Sequence, residues 1–166
     1  MNIKIGFAVL ISLLSICHVA FALEKGEQIP AFELETNKDT KITSESLRGS
    51  YTYIDFWASW CGPCRQSFPW MNALQEKYKD KNLRILAINL DVNQADANKF
   101  LAEVPAHFEI AFDSKGITPK LYAVKGMPSS LLISPDGKVI FQHTGFNTNK
   151  ADELDKLISQ QLGASR

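Results

Sequence analysis

Residues 51–78 read YTYIDFWASWCGPCRQSFPWMNALQEKY, and this stretch decides the fold. From Tyr51 to Trp57 the residues are aromatic or β-branched apart from Asp55, the composition of a buried strand. Phe68, Met71, Leu74 and Tyr78 then recur three or four apart, which puts them on one face of a helix. Between strand and helix stands Trp60-Cys61-Gly62-Pro63-Cys64. Gly62 and Pro63 suit a tight helix entry, where a missing N–H falls among amides that have no helical partner anyway. Cys61 is thereby placed at the helix N-terminus, with Cys64 one turn further on. Orphan N–H groups and the positive end of the helix dipole favour an anionic sulfur there, which lowers a thiol pKa and supplies the attacking thiolate. Each unit of lowering corresponds to about 1.4 kcal/mol of preference for the thiolate. The spacing also lets the two sulfurs meet in a disulfide. The stretch reads as a redox site.

The rest of the chain sets the context for that pair. Its 166 residues, 45% hydrophobic and 22% charged, are enough for one domain with a proper core. A formal net charge of zero gives no electrostatic case for a nucleic-acid or acidic-lipid surface. At the start, Lys4 precedes an apolar run from Ile5 to Ile16, and Ala20-Phe21-Ala22 has the form of a signal cleavage site. The expectation is a signal peptide over residues 1–22 and a single domain over 23–166. Two other readings stay open. Leu14-Ser15-Ile16-Cys17 approximates a lipoprotein box, against which the bulk of Ile16 argues. Ile5 to Leu23 is also nearly long enough for an uncleaved anchor.

Cleavage would remove Cys17 and leave Cys61 and Cys64 as the only cysteines. A bridge across a two-residue gap constrains the unfolded chain little, so a reactive pair is the better reading than a staple. Zinc needs four ligands, and the remaining histidines, His107 and His143, lie far away without ligand spacing. Both histidines read as surface or loop residues, and no metal or cofactor is expected. A copper(I)-handling thiol module remains an alternative use of two soft ligands.

Along the chain, Ala31 to Leu34 and Lys41 to Thr43 alternate apolar and polar residues and predict a hairpin, followed by a helical turn at Ser44 to Leu47. Pro69 inside the cysteine helix predicts a kink. Further elements are a buried strand at Leu83 to Asn89, a helix at Gln94 to Glu103 and a strand at Phe108 to Phe112. Thr118 to Tyr122 reads as a helical turn. Pro135-Asp136-Gly137 is a turn signal between strands Ser130 to Ser134 and Lys138 to Thr144, and Lys150 to Leu162 is an amphipathic helix. The order indicates an α/β fold: parallel strands joined by helices, then an antiparallel hairpin and a closing helix.

IDFWASWCGPC together with GMPSSLLISPDGKV resembles the thioredoxin superfamily over about residues 51–162. The signal-like start, the early hairpin and the long interval from Asp91 to Pro128 resemble its exported TlpA/ResA-type thiol–disulfide oxidoreductases. That resemblance implies a mixed sheet with helices on both faces, an N-terminal hairpin and a helix–strand insertion. It further implies that Cys61 attacks, that Cys64 resolves, and that Pro128 is a cis-proline opposite them. Met127 would offer its backbone to an extended substrate, with Trp60, Gly62 and Pro63 around it.

Asp55 matches the family's buried aspartate, a candidate to exchange a proton with the second thiol. It could equally be a carboxylate bonded to backbone. The lysine that usually accompanies it is replaced near Ala87, which puts a lysine-assisted relay in doubt. The resemblance implies a periplasmic reductase acting on disulfide-containing exported proteins, cytochrome c precursors among them, with a membrane thiol-electron donor of the DsbD/CcdA type and no nucleic acid. A disulfide oxidant or isomerase is the alternative. The related thiol peroxidases would need proline and threonine where Ile54 and Ala58 stand.

Overall fold

The computed structural model describes residues 23–163, so the predicted signal peptide lies outside the described residues. The central strand is β3 (Tyr51–Trp57), followed by β4 (Leu83–Asn89) and β5 (Glu109–Phe112). β3, β4 and β5 run parallel, with β3 paired to β4 from Tyr51↔Leu83 to Trp57↔Asn89. Helices α1 (Gly62–Tyr78) and α2 (Gln94–Glu103) make the two crossovers, as parallel neighbours require. On the other side of β3 lie β6 (Ser129–Ile133) and β7 (Val139–Thr144), both antiparallel to their neighbours. The hairpin β1 (Glu33–Thr36) and β2 (Lys41–Thr43) joins through an antiparallel pairing of β1 with β5. The result is one seven-stranded mixed sheet in the order β2-β1-β5-β4-β3-β6-β7.

Alternation along β3 divides the core in two. Tyr53 and Trp57 point into the layer formed by α1, α2 and α4 (Thr148–Gly163), which includes Phe68, Phe100 and Ile158. Ile54 and Phe56 point into the opposite layer, closed by Leu47 of a 3-10 turn (Glu45–Leu47), by Phe32, and by Tyr122 at the end of the short α3 (Ile117–Leu121). Asp55 therefore faces the cysteine-bearing helix.

The expected mixed sheet with helices on both faces is what folds, and the differences from expectation are local. The first strand begins at Glu33 and not Ala31, because the side chain of Phe32 turns into the core and packs edge-on against Tyr122 at 6.3 Å. Likewise Phe108 precedes β5 and packs against Phe68 at 5.3 Å. In keeping with the expected helix, α1 runs through Pro69 to Tyr78, with Phe68 and Met71 on either side of it fully buried.

The turn at Pro135-Asp136-Gly137 carries a positional requirement. Gly137 has φ +81°, and a Cβ there would stand 2.5 Å from Nε2 of Gln28, a side chain tied to the Asp136 carbonyl at 2.8 Å. Gly137→Ala is expected to lower the unfolding free energy by about 1–2 kcal/mol, the cost of a left-handed backbone for a residue with a Cβ. A urea midpoint unchanged from the parent protein would contradict it.

Candidate active site

β3 ends at Trp57, and Ala58-Ser59-Trp60 carries the chain over the sheet edge into α1. Cys61 is the N-cap of α1, with extended backbone (φ −84°, ψ 101°), and its sulfur accepts the Cys64 N–H at 3.3 Å. Pro63 falls in the first turn, where its lack of an N–H is harmless. Cys61 and Cys64 form a disulfide with Cα atoms 5.3 Å apart. Cys61 is 5% exposed and Cys64 fully buried, so only the first sulfur has a way out.

The turn is held from β4. The Asp91 carboxylate accepts the Ser59 N–H and the Ser59 hydroxyl, both at 2.9 Å, and the Asn89 side-chain amide at 2.7 Å. This clamp was missed in the sequence. Its only trace there is an Asn-x-Asp at the end of a strand, and nothing short of the pairing β3·β4 brings that to Ser59.

Opposite the cysteines, the Met127–Pro128 peptide is cis, as the resemblance implied. A groove of about 510 Å³ runs between the two segments. Trp60, Cys61, Gly62, Pro63 and Met127 line it, so those expected substrate-side residues are together in space. Trp60 is 72% exposed and forms the rim, whereas Trp57 is wholly in the core. Leu90, Pro119 and Val124 complete an apolar wall that sequence reasoning did not assign, because they come from the end of β4, from α3 and from the segment after α3.

Asp55, on the face of β3 that α1 covers, is 1% exposed. Its partner is a side chain, not backbone: the Ser130 hydroxyl donates to Oδ1 at 2.7 Å, while Oδ2 has no hydrogen-bond partner. Burial pushes its pKa up to about 7, against the opposing pull of the Ser130 hydrogen bond. In the sheet Asp55 stands directly between Ala87 and Ser130, so alanine does occupy the neighbouring position on β4. Burial also raises the pKa of Tyr53, two residues earlier on the same face.

His107 is exposed, as expected, but His143 is not a loop residue. It sits half-buried on β7, in register with Ser130, within the strand that the pattern from Lys138 to Thr144 predicts. Among the described residues no group of three potential metal ligands comes together.

A helix-capping cysteine, a buried partner one turn on and a cis-proline across a groove define a thioredoxin-fold thiol–disulfide oxidoreductase. The chain belongs to the Redoxin family, whose profile matches residues 24–158. It is 34% identical over 128 residues to the thiol-disulfide oxidoreductase ResA of Bacillus thuringiensis subsp. konkukian, spanning 77% of this chain and 74% of that protein. Identity to the ResA of Bacillus subtilis is 28%, over 76% of this chain and 71% of that protein. Among solved structures, one named as a thiol:disulfide interchange protein DsbE from Chlorobium tepidum is 52% identical, with a TM-score of 0.83 over 85% of this chain and 99% of its own.

Proposed function

We propose that this oxidoreductase works outside the cytoplasm as a reductase of protein disulfides, with Cys61 as the nucleophile and Cys64 as the resolving thiol. One observation carries the assignment of roles: Cys61 caps the helix on the floor of the groove, and Cys64 is fully buried behind it. In the reduced protein, the Cys64 N–H and the helix N-terminus favour a Cys61 thiolate.

That thiolate attacks one sulfur of a substrate disulfide. The new S–S bond joins protein to substrate, and the other substrate sulfur leaves as a thiolate that takes up a proton. Cys64 then gives up its proton and attacks Cys61, releasing the second substrate thiol and restoring the Cys61–Cys64 disulfide. Asp55, with its pKa near neutrality, is the acceptor for the Cys64 proton. Each cycle moves two electrons to the substrate, so a thiol donor must reduce the pair again. A membrane donor of the DsbD/CcdA type suits an export signal over residues 1–22 and a periplasmic site of action. Gly62-Pro63 between the cysteines favours the reducing direction, by resemblance to reducing thioredoxins.

The test is trapping. Cys64→Ser is expected to stop the cycle at the mixed disulfide, so that protein and substrate travel as one species on a non-reducing gel and part on reduction. The parent protein should reduce insulin when supplied with a dithiol. Efficient oxidation of reduced substrates without insulin reduction would reverse the direction, and no trapped species would remove the assigned order of attack.

A further inference from the structure

The end of α3 builds part of the groove's apolar wall. Tyr122 caps that helix, with its ring in the core and its hydroxyl donating to the Pro30 carbonyl at 3.1 Å. Past the cap, Ala123 takes a left-handed backbone, φ 50°, at a position where glycine is usual. Its N–H donates to the Lys120 carbonyl at 3.2 Å, and the Val124 N–H reaches back to the Pro119 carbonyl at 2.8 Å. Together these two hydrogen bonds make the Schellman pattern of helix endings. That pattern brings the residue two past the cap alongside the one three before it. Here those residues are Val124 and Pro119, and both line the groove.

Lys125 follows directly. Its main chain is held on both sides: Val124 by that turn, and Gly126 by the Ser129 hydroxyl, which donates to the Gly126 carbonyl at 2.7 Å. Its side chain is exposed and makes no ion pair among the described residues. Apart from the Cys61 thiolate of the reduced protein, Lys125 is the only charged residue that lines the groove. Asp91, next to Leu90, does not neutralise it, since that carboxylate is buried against Ser59 and Asn89. Apolar walls screen a charge less than water does, so the field of the ammonium extends over whatever enters the groove.

We infer that Lys125 selects the substrate: the groove takes an extended disulfide-bearing segment with an acidic side chain two residues from the attacked cysteine, and that carboxylate pairs with the Lys125 ammonium. This rests on the reading above that Cys61 attacks protein disulfides in this groove. Apolar side chains of the same segment cover Pro119 and Val124, which are otherwise open to water there. The spacing comes from the backbone contact expected at Met127. Side chains two apart on an extended segment share a side, and Lys125 stands two positions from Met127. Lys125 touches no reacting sulfur and acts on which disulfide is bound, not on how it is broken.

The test uses two short peptides that differ only in carrying glutamate or lysine two residues to either side of a cysteine, each cysteine capped as a disulfide with 2-mercaptoethanol. The reduced protein is mixed with each at neutral pH and low salt, and single-turnover oxidation of its dithiol is timed. The readout is the ratio of the two rates, in which any change common to both substrates, the reactivity of the thiolate included, cancels. The parent protein is expected to favour the glutamate peptide by about tenfold, with attraction for one and repulsion of the other each within what an exposed ion pair contributes. Most of that preference should vanish in about 1 M salt. Lys125→Gln should bring the ratio to one or below, and Lys125→Glu should invert it. Lys120→Gln removes an equal charge from α3 outside the groove and should leave the ratio at the parent value. A parent ratio near one overturns the inference, as does a ratio that Lys125→Glu leaves unchanged. An equal fall in Lys120→Gln also overturns it, since overall charge and not the groove would then set the preference. In all three cases disulfide exchange by Cys61 stands. If the reduced protein attacks neither peptide, the reading of Cys61 as the nucleophile falls, and this inference with it.

Discussion

Cys61→Ala is expected to abolish disulfide exchange, lowering the turnover of a protein disulfide by more than about a thousandfold, as removal of a sole nucleophile does. The size of the effect follows from accessibility. Cys64 is fully buried and sits inside the first turn of α1, so it cannot replace Cys61 as the attacking sulfur. The variant should still fold. Alanine at the N-cap forfeits the hydrogen bond from the Cys64 N–H, a loss of about 1 kcal/mol, and the two-residue gap closed by the disulfide contributes little chain entropy. A cooperative unfolding transition near that of the reduced parent protein, together with loss of insulin reduction, is the expected pair of results. Turnover that survived in Cys61→Ala would sink the enzyme mechanism as drawn.

The same electrostatics make Cys61 distinguishable from Cys64 before any mutation. In the reduced protein Cys61 should react with iodoacetamide near neutral pH faster than an ordinary thiol, and first. The helix terminus and the Cys64 amide stabilise its anion, whereas burial disfavours any anion at Cys64.

The elements that build this arrangement were legible in the sequence where local pattern and tertiary role coincide. β3 and α1 carry their own periodicities, and Gly62-Pro63 marks the helix entry, so the cysteines could be placed without knowing their surroundings. The partner of Asp55 could not. Ser130 and Asp55 are 75 positions apart, and they meet only because β6 returns antiparallel beside β3 in one particular register. Asp55 was recognised as buried from its apolar neighbours, but its partner depends on pairing, which alternation does not specify. The strand holding His143 was legible, but a histidine near a strand end carries no signal of which face it occupies, so its place in register with Ser130 was not. The Asp91 clamp is a third case, since an aspartate just past a strand looks like ordinary turn chemistry until Ser59 is seen above it.

Asp55 also couples the redox site to stability, and the second large effect is expected there. In the oxidised protein the cysteines do not titrate, so this carboxyl can be followed on its own. Its pKa moves from 3.8 to about 7 on folding because burial disfavours the anion. The folded state therefore holds the proton over a range where the unfolded chain has lost it. The sign follows directly: Asp55 weighs least against folding below about pH 4, the penalty grows as pH rises, and it is complete once pH has passed the folded value near 7. A shift of about three units corresponds to roughly 4 kcal/mol at the alkaline end. Asp55→Asn keeps an oxygen to accept the Ser130 hydroxyl and removes the charge. The oxidised variant should accordingly exceed the parent protein by about 3–4 kcal/mol in unfolding free energy near pH 9, with the two converging towards pH 4. Urea denaturation of both proteins across that range measures the difference directly, and other titrating groups cancel in it. Parallel stability curves would mean that Asp55 ionises in the fold as readily as in water, leaving no carboxyl near neutrality to accept the Cys64 proton. A gap that opens with pH, alongside slower exchange in the variant, would show the buried acid lowering stability where it serves the chemistry.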